Sequence, residues 1–139
     1  MRVLVIQGAG MNMRGKSQIE TFGPMTLAEM NARIETFAEE LGVDLELFHS
    51  NIEGEVINRL YDAHEQGFDG AIINPAGFTT STGALPAAIG QVDFPVIEVH
   101  ASNPTARGVQ SSLQPVCKGS IYGFGIEGYR LGLRGLLST

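Results

Sequence analysis

Glu98 and His100 stand two residues apart in the stretch Val96-Ile97-Glu98-Val99-His100-Ala101-Ser102-Asn103. On a strand that spacing puts both side chains on one face, where a carboxylate can orient an imidazole and stabilise its charged form. This is a general-acid arrangement. Ala101 and Ser102 follow with small side chains, free N–H groups and one hydroxyl, so an anion such as a carboxylate can be held beside the ring. The same residues also fit a histidine satisfied by a neighbouring carboxylate with no catalysis, and taken alone the stretch slightly favours that second reading.

The elements that must position this pair can be read from periodicity. Residues 2–7 form a continuous apolar run ending at Gly8-Ala9-Gly10, as a central parallel strand running into a loop does. The loop from Gly8 to Pro24 is long and polar, the character of a lid or binding loop. Its Gly-x-Gly lacks the third glycine of a dinucleotide fingerprint. Thr26 and Glu29 have capping-box spacing, and Leu27, Met30, Ile34, Phe37 and Leu41 make an amphipathic helix that stops at Gly42. Residues 43–48 alternate as a strand. Ser50 and Glu53 suggest a second capping box before a helix carrying Val56, Ile57, Leu60 and Tyr61. His49 and His64 read as structural and surface residues.

Residues 70–73 form a short buried strand followed by a polar loop over 74–81, and a short helix is expected over 82–90 with Pro86 in its first turns. The strand at 96–99, a loop from His100 to Val116, a strand at 118–122 and a helix at 125–137 complete the order. Glycines 128, 132 and 135 imply that the last helix packs closely on a neighbour. Alternation of this kind predicts an α/β fold: a flavodoxin-like, five-stranded parallel sheet with helices on both faces. Ligands in such sheets bind beyond the C-terminal strand ends at a switch in strand order, so Asn12, Asn74 and His100 are expected to converge. Two amides, an oriented imidazole and a serine could bind a small hydroxylated carboxylate and protonate a leaving hydroxyl.

The 139 residues fit a single domain, 1–139, with 43% hydrophobic and 17% charged residues. No apolar run approaches a membrane span, and the N-terminal apolar stretch is too short for a signal peptide. The lone Cys117 has no disulfide or metal-cluster partner, which points to a reducing cytoplasm. A net charge of −6 argues against nucleic acid as a partner.

Five stretches together resemble type II dehydroquinase, the 3-dehydroquinate dehydratases. They are Val5-Ile6-Gln7-Gly8 with Asn12 and Gly15, residues 48–55, Ile72-Ile73-Asn74-Pro75, residues 98–103, and Gly123 through Arg130. The resemblance implies a flavodoxin-like lyase that needs no cofactor or metal and assembles as a homododecamer built from trimers. It also implies roles: His100 as general acid, Glu98 as its orienting partner, Asn12 as holder of a water near the enolate oxygen, and Asn74, Ala101 and Ser102 as the carboxylate pocket. Arg107 matches an arginine that assists the base. Thr80, where the family has a loop histidine, is counted with the substrate-binding residues.

The other half departs from the pattern. The family's lid arginine and the tyrosine base that it ionises fall at Ser17 and Phe22, an aspartate falls near Ala87, and the arginine that reads ring hydroxyls has Ser111 as its nearest match. A phenyl ring cannot take a proton. Glu20 on the same loop could serve as base, with Arg14 or Lys16 supplying positive charge, or all three could be a solvated surface. The expected function is therefore a dehydratase acting on a small hydroxy-carboxylate other than 3-dehydroquinate, or on 3-dehydroquinate only poorly. The alternative is a catalytically silent carboxylate-binding or assembly homologue.

Overall fold

The computed structural model describes residues 1–139. Five parallel strands form one sheet: β1 (Arg2–Ala9), β2 (Asp44–His49), β3 (Gly70–Ala76), β4 (Val96–His100) and β5 (Gly119–Tyr122). Their spatial order is β2-β1-β3-β4-β5. The chain leaves β1 for the β2 edge, then returns across β1 to place β3 on its other side. This reversal is the switch point expected of a flavodoxin-like sheet.

Strand alternation divides the core between the two faces. Leu4, Ile6, Ala71, Ile73 and Val96 pack on one side against helices α3 (Glu53–Glu65) and α4 (Ala84–Gln91), which supply Val56, Leu60, Leu85 and Ile89. Val3, Val5, Ile72, Ile97 and Val99 pack on the other against α2 (Leu27–Leu41) and α5 (Glu127–Leu137), which supply Ile34, Phe37, Leu133 and Leu136. A further short helix, α1 (Ile19–Phe22), lies in the long loop after β1, together with a 3-10 turn at Met11–Met13.

The capping box at Thr26 and Glu29 forms with both reciprocal bonds. The one expected at Ser50 does not. Ser50 Oγ instead accepts from Ile52 N at 2.9 Å and bonds Glu55 Oε1, while Ile52 caps α3 without a side-chain bond. The strand read at 70–73 continues to Ala76, because Gln7 and Ala9 of β1 still pair with Asn74 and Ala76. The close approach foreseen for α5 is present: a Cβ built on Gly132 would meet Ile72 Cδ1 at 3.0 Å, and one on Gly128 would meet Val99 Cγ1 at 3.1 Å. No helix is long and apolar enough to cross a membrane.

Candidate active site

Glu98 and His100 share one face of β4, and the register with β5 sets Ser120 beside Glu98 and Tyr122 beside His100. His100 Nε2 lies 2.6 Å from Glu98 Oε2, which also accepts from Ser111 Oγ at 2.6 Å. Glu98 Oε1 accepts from Ser120 Oγ at 2.8 Å and from Tyr122 OH at 3.2 Å. The carboxylate is fully buried. Burial pushes its pKa up, but the donors His100, Ser111 and Ser120 outweigh that and leave it below the usual carboxylate range. An ionised Glu98 thus faces the His100 ring at hydrogen-bond distance and fixes its orientation. The Tyr122 ring packs edge-on against His100, centroids 4.7 Å apart, which fixes the imidazole plane. With Nε2 engaged by Glu98, Nδ1 is the nitrogen left to serve a ligand.

His100 opens into a cavity of about 560 Å³ at the C-terminal ends of β1, β3 and β4. That size suits a small ring or short-chain ligand. Asn74, Thr80, Ala101, Ser102 and Arg107 all line it. No backbone carbonyl accepts from the N–H of Ala101 or Ser102, so both donors remain for an anion. Arg107, in the 3-10 turn Pro104–Arg107, gives an Nη1 hydrogen to Ser102 Oγ at 3.1 Å.

Asn12 is a correction. It is exposed within the Met11–Met13 turn and does not line the cavity; Gly10 does, with its N–H held by Asn51 Oδ1 at 2.8 Å. The turn buries Met11 in the core and leaves Asn12 exposed. Ser111 donates its hydroxyl to Glu98 and accepts from Leu113 N. Glu20 and Lys16 are exposed and outside the cavity lining, whereas Arg14 is in the wall.

Ser17 and Phe22 line the cavity where the lid residues were expected. No tyrosine lines it. Tyr61 is on the surface, and Tyr122 is pushed up by burial and by Glu98. Tyr129 is fully buried under the site and lifted by that burial to about 12. Its hydroxyl donates to Gln7 Oε1 and accepts from Asn74 Nδ2, both at 2.8 Å. Gln7, Asn74 and Tyr129 were not foreseen as a group. The available signal was an amide closing each of two buried strands, both on the face that α5 covers.

The site therefore straddles the sheet edge: Glu98 and His100 come from the α3/α4 face, Gln7 and Asn74 from the α2/α5 face. No three His, Cys, Asp or Glu side chains converge to hold a metal ion. The arrangement can place a carboxylate on the N–H groups of residues 101 and 102 and deliver a proton from His100 beside it.

Comparison with known proteins agrees with this fold. A family profile described as dehydroquinase class II matches residues 1–137. A 3-dehydroquinate dehydratase of Desulforudis audaxviator is 46% identical over 96% of this chain and 91% of its own. One from Bacillus licheniformis is 39% identical over 99% of this chain and 96% of its own. The crystal structure of type II dehydroquinase from Butyrivibrio crossotus superposes with a TM-score of 0.94 at 30% identity, covering 99% of this chain and 97% of that one. With the family profile matched over residues 1–137 and the fold shared along nearly the whole chain, this protein belongs to the type II dehydroquinase family.

Proposed function

We propose that this protein is a hydro-lyase that holds a small hydroxy-carboxylate on Asn74, Thr80, Ala101 and Ser102, with Arg107 beside them, and protonates its departing hydroxyl from His100 while solvent water takes the proton lost from the adjacent carbon. Glu98 orients the His100 ring through the 2.6 Å contact with its Nε2. The proposed substrate is one other than 3-dehydroquinate, or 3-dehydroquinate itself turned over only poorly. A single observation carries the reading: the acid dyad and the free N–H donors share one cavity whose lid presents the Phe22 ring and no phenol. Removing a positioned acid or base costs about 10² to 10⁴ in rate, so a site without a phenol base is slow with a substrate that requires one. The single free cysteine supports a reducing cytoplasm as its compartment. Exposed apolar residues such as Ile52 and Phe124 support self-association into a trimer-based dodecamer, which light scattering would measure.

The test is to incubate the purified protein with 3-dehydroquinate and follow the conjugated enone, alongside the Ser17→Arg/Phe22→Tyr double variant. Slow turnover in the unmodified protein and a gain in the double variant are the expected results. Full activity in the unmodified protein would overturn the substrate assignment. The missing phenol also favours a second reading, a silent carboxylate binder. Carboxylates that raise the melting temperature yet are never converted would establish that one.

A further inference from the structure

Two guanidinium groups stand in the cavity wall without a counter-charge. Arg14, half-buried just after the Met11–Met13 turn, rests on the Phe22 ring with its central carbon 3.8 Å from the ring centroid. Arg107 lies 5.3 Å from the same centroid. Neither has a carboxylate within 4 Å, although Arg2, Arg59 and Arg130 each find one on the surface. No Asp or Glu lines the cavity at all. In a chain with 15 acidic and 9 basic residues, that makes the cavity a local reversal of the protein's charge.

Burial lowers the Arg14 pKa, and the charge of Arg107 adds to this against an opposing contribution from Tyr129. The face of Phe22 attracts both cations but neutralises neither. A single carboxylate on the Ala101 and Ser102 donors meets Arg107, which already reaches Ser102. Arg14 is then still unmatched.

We infer that the ligand is a dicarboxylate, with one acidic group on the Ala101/Ser102 donors and the second on Arg14 beside the Phe22 ring. This rests on the carboxylate-anchor reading above and adds the second acidic group to it. Phe22 then has a definite task. It supplies an apolar surface that holds the Arg14 guanidinium in place and takes no part in proton transfer.

Calorimetric titration with cyclohexanecarboxylate and with cis-cyclohexane-1,3-dicarboxylate tests this directly. The dicarboxylate is expected to bind at least about tenfold more tightly, as one charge-assisted hydrogen-bonded pair warrants. Arg14→Gln should erase that preference while leaving monocarboxylate affinity within about twofold, and Arg14→Lys should retain part of it. Equal affinities for the two acids in the unmodified protein would overturn the inference and leave the anchor reading standing. So would an Arg14→Gln protein, folded by its melting temperature, that keeps the preference. Failure of both acids to bind would overturn the anchor reading and this inference together.

Discussion

Four donors from three segments converge on the Glu98 carboxylate, and their number decides its behaviour. Because the folded pKa lies below the ordinary 4.5, the native state binds fewer protons than the unfolded chain just below that pH. The stability that Glu98 confers is present above about pH 4.5 and is lost as pH falls through the folded value. Melting temperatures measured from neutral to acid pH should show that loss, and Glu98→Gln should flatten it. His100→Ala should lower turnover of any accepted substrate by about 10² to 10⁴, measured on the same enone assay or its equivalent. The dyad was legible because two-residue spacing survives in any strand. Asn12 was misread because its direction depends on a 3-10 turn whose apolar partner, Met11, has no periodic signal.

At the scale of elements, the C-terminal ends of β1 and β3 press together beneath the cavity. A Cβ on Gly8 would lie 2.1 Å from the Pro75 carbonyl oxygen, so Gly8→Ala must move backbone. It should cost about 3 kcal/mol, read as a lower urea midpoint with unchanged slope. Ala76, at the end of β3, carries a φ of 47°, a left-handed value that strains a residue with a Cβ. Ala76→Gly should therefore stabilise by up to about 1 kcal/mol in the same measurement, the strain relief being partly offset by the freer unfolded chain. Helix α2 was legible to its cap, since apolar spacing and a reciprocal box agree there. Helix α1 was not, because four residues give no period, and Gln18 enters it at a φ of 52°.

For the whole molecule, the order of strands and helices was readable, and with it the edge of the sheet where a site belongs. Which side chains meet there was only half readable, because the site draws on both faces and their meeting depends on register and on how closely α5 approaches. Gly128 and Gly132 permit that approach, and Tyr129 between them completes a buried relay with Gln7 and Asn74. Tyr129→Phe should leave both amides short of a partner, costing about 1 to 3 kcal/mol and weakening carboxylate binding at Asn74, by denaturation and calorimetry respectively. The Tyr129 pKa is raised from 10 to about 12, so its contribution is full below pH 10 and lost as pH climbs through about 12. The phenylalanine variant should lack that alkaline phase.

The Gln7–Tyr129 bond joins residues 122 positions apart, near the two ends of the chain. During synthesis the first strand and the Asn74 strand are made long before the tyrosine that satisfies their amides. A nascent chain can therefore gather its sheet early, but the floor of the ligand cavity stays unfinished until the last helix has been released. The cavity floor is thus a feature that only a chain translated past its final helix can complete, and a ribosome stalled before codon 129 would carry a sheet whose Gln7 and Asn74 amides lack their shared partner.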